Sequence, residues 1–270
     1  MTATMPFEFD ADTDVDVVGD HEYAVALSDR WNALRGVVNG GYMLAVCLQA
    51  LRRELPFPDP MAVSAYYLRP GAPGAATLRT EIVRVGRRMA TGEVQLHQGS
   101  DEVVRALASF TDLEQASGRT VMLGEMPSLP PPEECMRVDG SAALPGVTIA
   151  DRVEYRYPEP PGWLTGEPSG EPHAEFWLRF TDGRAADPLG LALLVDAAAP
   201  AVLDIGATAS STVELTVHVR GRPAPGWLAC RVSTRHIIDG HHEEDFEVWD
   251  SSGKFVAQAR QLARLVPDEK

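Results

Sequence analysis

The sequence has only three cysteines in 270 residues, Cys47, Cys135 and Cys230, far apart and in no CxxC or Cys/His spacing of a structural zinc site. That excludes a disulfide framework and points to free thiols in a reducing compartment, with Cys47 and Cys230 as core filler. Cations are scarce too: 24 Lys and Arg stand against 39 Asp and Glu, a formal net charge of -15. A general nucleic-acid binder needs clustered cations to meet phosphates, so no nucleic-acid partner is expected. No apolar run is long enough to cross a bilayer, because Gly, Asp or Pro interrupts each one. The opening stretch MTATMPFEFDADTDVDVVGD lacks a basic region followed by an apolar core. No secretory signal, no membrane insertion and a cytoplasmic location are therefore expected. A GxSxG elbow, a Walker loop and a GxGxxG after a strand are also missing, which leaves α/β-hydrolase, NTPase and dinucleotide-binding readings without support.

What is present is enough apolar residue, 44%, for a proper core. The chain is organised around residues 36–54, GVVNGGYMLAVCLQALRRE. Over residues 42–51 only Gln49 is clearly polar, so this reads as an interior helix rather than a surface one with a charged face. Asn39 suits its cap. Gly40 and Gly41 let another backbone or a ligand approach the unpaired N–H groups of the first turn. Arg52 and Arg53 sit at the negative end of the dipole, and Pro56 and Pro58 stop the helix. Such an N-terminus could polarise a carbonyl or hold an anion; the plainer reading is tight packing of a core helix.

Before this helix, residues 7–30 read as an opening hairpin, with Phe7 and Phe9, then His21, Tyr23, Val25 and Leu27 on one side. After it come extended runs at 60–68, 76–85, 89–97 and 103–113. The Pro-rich tract around 124–135 cannot join a sheet interior and reads as a connector. We therefore expect a first domain over 1–115, a linker over 116–150 and a second domain over 151–270. The second domain repeats the pattern: strands at 153–157 and 173–180, an apolar helix LGLALLVDAAAPAVLDIG opened by Asp187 and Pro188, then strands at 211–219, 227–236, 243–249 and 254–266. The two patterns recur at a spacing of about 150 residues.

One residue of the second apolar run breaks the rule. Asp196 lies between Leu193, Leu194, Val195 and three alanines, where a carboxylate costs several kcal/mol (~3 or more) unless paired, hydrogen-bonded or protonated. It is either one half of an ion pair or a base whose desolvation raises its pKa toward neutrality. Alternation along 211–219 places Ser211 on the face of Val213, Leu215, Val217 and Val219; in the last strand Gln261 shares a face with Ala257, Ala259 and Ala263. Asp196, Ser211 and Gln261 are thus expected to face one interior. His236, His241 and His242 beside Glu243, Glu244 and Asp245 read as a solvated hairpin loop rather than a metal site, and no metal is expected.

With these pieces in place the chain resembles the double hot-dog acyl-CoA thioesterases of the thioesterase II (TesB-like) family. The resemblance rests on NGGYMLAVCLQAL, AYYLRPGAP, RVGRRMATGEVQL and EVVRALASF in the first half. In the second half EFWLRF, LALLVDAAAPAV, STVELTVHVR, GWLACR and GKFVAQARQLARL carry it. It implies an α+β double hot-dog: two antiparallel sheets, each wrapped round a long apolar helix. It also implies hydrolysis of an acyl-CoA to a free acid and CoA without a cofactor, the CoA thioester being the substrate.

In that family an Asp, a Ser or Thr and a Gln hold the attacking water; along this sequence they match Asp196, Ser211 and Gln261, with Thr212 replacing Ser211 if the register slips by one, although Thr212 would then face outward. By the same analogy Gly40 or Gly41 offers a backbone N–H to the thioester oxygen. Met43, Cys47 and Leu194 line the acyl chain, and Arg87 with Arg88 meets the CoA phosphates. The first half carries Ser109 where the repeat places Gln261, which implies one active site per chain. The alternatives are a non-catalytic acyl-CoA-binding hot-dog protein and an acyl-CoA hydratase or dehydratase, the latter wanting an inward His near Asp196. Pairing of hot-dog sheet edges suggests a homo-oligomer.

Overall fold

The structure, a computed structural model, describes residues 6–266; residues 1–5 and 267–270, which belong to the secretory-signal reading and to the two domain spans above, lie outside the described residues. In chain order the elements are α1 (Glu8–Thr13), β1 (Asp16–Gly19), β2 (Glu22–Leu27), α2 (Gly40–Glu54), β3 (Asp59–Tyr67), β4 (Gly74–Val85), β5 (Ala90–Gln98) and β6 (Asp101–Thr111). Then follow β7 (Met136–Val138), α3 (Gly140–Ala143), β8 (Val153–Tyr157), α4 (Gly162–Thr165), β9 (His173–Phe180) and α5 (Pro188–Leu194). The last five are β10 (Ser210–Val219), β11 (Leu228–Ser233), β12 (Ile237–Ile238), β13 (His241–Trp249) and β14 (Phe255–Leu265).

The central helix forms as its composition predicts. The Asn39 side chain caps it by accepting from Tyr42 N–H at 2.9 Å, and residues 41–48 are all buried. It lies against β4, β5 and β6 on one side and α5 on the other. The opening hairpin is displaced, however. Phe7 and Phe9 do not belong to a strand; α1 occupies that stretch, with Glu8 and Asp10 in its first turn, and the hairpin is β1 with β2. Phe9 is fully buried between Trp31 and Phe180, so one anchoring aromatic, not strand alternation, decides the local structure.

Two further expectations change. There are not two separate sheets but one continuous antiparallel sheet, in the order β1-β2-β4-β5-β6-β3-β10-β14-β13-β11-β9-β8-β7. Its two halves join where β10 pairs β3, from Glu214 opposite Tyr66 to His218 opposite Ala62. That pairing satisfies the backbone groups that each half would otherwise leave as an open edge. The second apolar run is also not one long helix. α5 ends at Leu194, Asp196 and Ala197 continue in tight turns bonded to the carbonyls of Leu193 and Leu194, and a short 3-10 helix, Ala201–Ile205, follows Pro200. Proline cannot continue the helical ladder, and Asp196 is drawn out of it by partners on α2.

The stretch between β6 and β8 returns to the first half. Thr148 Oγ1 donates to Asp29 O at 2.5 Å and accepts from Asn32 N–H at 3.0 Å, and Ile149 N–H donates to Asn32 O at 3.2 Å. These bonds fix Thr148 and Ile149 against the first half, and Val138, Leu144 and Ile149 of this stretch line the groove between the halves.

Candidate active site

Asp196 sits just past α5 and faces the N-terminus of α2. Its Oδ2 accepts from Gly41 N–H at 2.7 Å and from Asn39 Nδ2 at 3.2 Å, while the same Asn39 amide donates to Asp196 O at 2.9 Å. Asn39 thus does two jobs: its Oδ1 caps the helix and its Nδ2 holds the carboxylate. Among the described residues nothing is bonded to Oδ1, which leaves that oxygen for the cavity. Burial pushes the Asp196 carboxyl up to about 6, against the pull of the Gly41 N–H and the Asn39 amide. The result is a carboxylate that is ionised yet basic near neutral pH.

Gly41 is a glycine for a steric reason. A Cβ there would stand 2.8 Å from both Asp196 Cβ and Leu193 O, so α2 and α5 could not approach this closely. The Gly41 N–H is consequently spent on Asp196 and is not open to a thioester oxygen. The Gly40 N–H has no partner among the described residues, and Gly40 lines the cavity.

The third polar member is shifted by one residue. Ser211 is exposed, though it lines the same cavity, and the side chain that reaches Gln261 is Thr212, whose Oγ1 donates to Gln261 Oε1 at 2.6 Å. The cause is a β-bulge. Thr212 pairs with Ala263 and Glu214 with Leu262, leaving Val213 as an extra residue, so the inward phase of Leu215, Val217 and Val219 does not extend back to Ser211. Gln261 itself points inward, between buried Ala259 and Ala263.

Behind Gln261 stands a group that sequence patterning missed. Glu244 Oε1 accepts from Gln261 Nε2 at 2.7 Å and its Oε2 accepts from Ala201 N–H at 2.7 Å. Burial pushes this carboxyl up to about 7, opposed by those two hydrogen bonds, with the negative charge of Asp196 adding to the rise. The IDGHHEED stretch is not a solvated loop throughout: β13 runs through it and turns His242 and Glu244 inward, while His241 stays exposed. His242 Nε2 lies 2.8 Å from Ser210 Oγ, and burial lowers its pKa, so the ring is neutral near pH 7. An inward His thus does exist in this half, but it has no bond to Asp196 and does not line the cavity. No cluster of three or more metal-ligating side chains occurs among the described residues.

Asp196, Thr212 and Gln261 line a cavity of about 500 Å³. Its apolar walls come from both halves and from the returning stretch: Val38 and Met43, then Leu144 and Ile149, then Tyr157 and Trp163. Met43 is therefore at the wall, but Cys47 and Leu194 are fully buried behind it and do not line it. Arg87 and Arg88 belong to the exposed β4–β5 turn and do not reach the cavity either. The cationic residues that do line it, both exposed, are Arg35 and Arg69, the latter 3.4 Å from Asp101.

Residues 27–111 match the family model described as the acyl-CoA thioesterase N-terminal domain, and residues 132–265 match the acyl-CoA thioesterase C-terminal domain. An uncharacterised protein of Mycobacterium tuberculosis is 31% identical over 264 residues, which cover 89% of each chain. A crystal structure from Thermobifida fusca YX, presented as that of a candidate thioesterase II, superimposes with a TM-score of 0.87 at 30% identity, over 97% of this chain and 98% of that one. A protein of unknown function with a hot-dog fold from Alicyclobacillus acidocaldarius gives a TM-score of 0.87 at 20% identity, over 98% and 100%. No helix among the described residues is long and apolar enough to cross a membrane.

Proposed function

The chain belongs to the acyl-CoA thioesterase family and is a thioester hydrolase, and from that premise we propose that it cleaves an acyl-CoA by direct attack of a water held between Asp196, Thr212 and Gln261. One observation carries this reading: a carboxylate pushed up to about 6, anchored through one oxygen only, at the wall of an apolar cavity it shares with a hydroxyl and an amide. A general base works best when its pKa lies near the operating pH, and ~10²–10⁴ in rate is the usual contribution of such a group.

In the proposed step, Asp196 Oδ1 takes a proton from the water as its oxygen attacks the thioester carbon. The C=O π pair moves to the carbonyl oxygen, and the Gly40 N–H, at the cavity wall, donates to it. Collapse of the tetrahedral intermediate breaks the C–S bond, and the proton on Asp196 passes to the departing thiolate. One water and one thioester are consumed; one acid and one thiol are formed. Glu244 holds Gln261 by its Nε2, which turns Oε1 toward Thr212 and keeps the amide from rotating.

The acyl chain occupies the apolar end of the cavity beside Met43, and Arg35 and Arg69 at the mouth replace Arg87 and Arg88 as the residues assigned to the CoA phosphates. We read residues 1–115 and 151–270 as the two hot-dog domains, with 116–150 between them and a single site per chain. The experiment is thiol release from short, medium and long acyl-CoAs by wild type and Asp196→Asn. Turnover that collapses in the folded variant is the expected result. Wild-type protein that binds acyl-CoA but frees no thiol from any of them would move the non-catalytic binding protein ahead.

A further inference from the structure

Tyr67, the last residue of β3, is on the inward face with Val63 and Ala65, whereas its neighbour Tyr66 is 53% exposed. Its hydroxyl oxygen is buried and has no hydrogen-bond partner among the described residues. A buried phenol usually finds a partner, because leaving its O–H unpaired costs ~1–3 kcal/mol. Here the residue lines the cavity while its hydroxyl oxygen is itself shielded, so an incoming carbonyl must displace the side chains that cover it to reach the unpaired O–H.

Its surroundings say which substrate atom. A Cβ on Gly40 would stand 3.0 Å from both Cε1 and Cζ of Tyr67 and 3.1 Å from Asp196 Oδ2. The hydroxyl-bearing end of the ring, the free first-turn N–H of α2 and the carboxylate of Asp196 therefore converge on one glycine. Two of these three are donors and one is a base. That is the composition needed around a carbonyl attacked by water: donors for the oxygen, a base for the nucleophile.

We propose that Tyr67 is a further catalytic residue of this enzyme, its hydroxyl donating to the thioester carbonyl oxygen together with the Gly40 N–H. The proposal rests on the thioesterase reading of this cavity. Burial, with the negative charge of Asp196 adding to it, raises the Tyr67 pKa well above the ordinary value, so the phenol stays protonated and can only donate to an incoming oxyanion at physiological pH. It also accounts for the occupied N–H of Gly41: with that donor committed to Asp196, the oxyanion site needs a second donor, and the phenol supplies it. The hydroxyl takes no part in holding the fold, since it bonds to nothing in it.

The test is Tyr67→Phe, which keeps the ring and its packing and removes one oxygen. The loss of one oxyanion donor costs about 10²–10³ in turnover, so kcat should fall by that factor with KM changed by less than about threefold. Two non-hydrolysable ligands separate this role from a structural one. They are a ketone analogue with a methylene between carbonyl and sulfur, and an S-alkyl-CoA thioether of equal chain length with no carbonyl. The variant should bind the ketone at least about tenfold more weakly than wild type and the thioether equally well. Wild-type turnover retained in the variant, or equal effects on the two ligands, would overturn the assignment. A wild-type protein that releases no thiol overturns the thioesterase reading instead, and the ligand pair then still decides whether Tyr67 recognises a carbonyl.

Discussion

The Gly41 N–H donates to Asp196 Oδ2 at 2.7 Å across 155 residues of sequence, and through this bond the first half of the chain positions the acid of the second. The positive end of the α2 dipole meets a carboxylate that would otherwise be an isolated charge in an apolar turn. Two apolar helices meet here, and the close approach that makes the bond possible is the approach that a side chain at position 41 would prevent.

Gly41→Ala should therefore be costly on two counts. The added Cβ meets Asp196 Cβ and Leu193 O at 2.8 Å, and a clash with backbone is not relieved by a rotamer change. A loss of about 1–3 kcal/mol of stability, as for other overpacked sites, is expected in urea denaturation. Thiol release should fall further than the stability loss accounts for, because α5 and Asp196 are pushed away from α2.

Asp196→Asn should separate stability from activity. The native carboxyl titrates at about 6 against 3.8 for the free side chain, so the native state binds the proton more tightly. The stability this contributes is fully present below pH 4 and is lost as pH rises through about 6. At pH 8 the ionised, buried carboxylate is a net cost of up to ~3 kcal/mol, from a gap of about two pH units at ~1.4 kcal/mol each. An Asn can still accept from the Gly41 N–H without that cost. Denaturation at pH 8 should find the variant at least as stable as wild type, with the advantage shrinking toward pH 4, while thiol release is abolished.

The pH profile should carry two carboxyls. Activity requires ionised Asp196, about 6, and benefits from ionised Glu244, about 7, whose two oxygens both act as acceptors. Activity should thus rise with pH across this interval. In Glu244→Gln one terminal oxygen becomes an NH₂ that faces either the Ala201 N–H or the Gln261 amide, donor against donor. The upper step should disappear, leaving a single limb near 6 and a maximal rate reduced by roughly tenfold or more, in keeping with groups that orient a catalytic side chain. A wild-type profile flat between pH 5.5 and 8 would count against both assignments.

Thr212→Ala and Ser211→Ala form a paired test of the bulge. Thr212 donates to Gln261 at 2.6 Å and Ser211 is exposed. Removing the first leaves Gln261 Oε1 without its partner and should lower kcat about 10- to 100-fold, whereas removing the second should leave turnover within about twofold of wild type. Steady-state kinetics on one acyl-CoA suffices; the reverse ranking would return the role to Ser211.

Periodicity was informative wherever the physics is local. The uninterrupted apolar character of residues 42–48 demanded a buried helix, and the cap at Asn39 and the inward Gln261 were legible from residue type and alternation alone. Asp196 stood out because a carboxylate among leucines and alanines is expensive wherever it lies. Thr212 was mis-phased because one extra residue at Val213 reverses alternation, and nothing in the composition of STVELTV marks a bulge. Glu244 and His242 were hidden by their neighbours: in a run of His, Glu and Asp every side chain looks solvated until strand pairing turns alternate ones inward.

The lining residues failed for a different reason. Cys47 and Leu194 are as apolar as Met43, and only the tertiary packing decides that two of them are sealed inside while one reaches the cavity. Arg87 and Arg88 carry the charge that a phosphate wants, but the β4–β5 turn carries them away from the mouth to which Arg35 and Arg69 belong. The sequence by itself determined the central helix, most of the long strands and the anomalous carboxylate, because propensity, periodicity and the cost of burying a charge act over a few residues. Only the tertiary structure decided that the halves share one sheet, that Gly41 is committed to Asp196 and that Tyr67 keeps its hydroxyl unpaired, because these depend on contacts between residues far apart in sequence, such as Gly41 and Asp196 or Ala62 and His218, whose distances no local rule specifies.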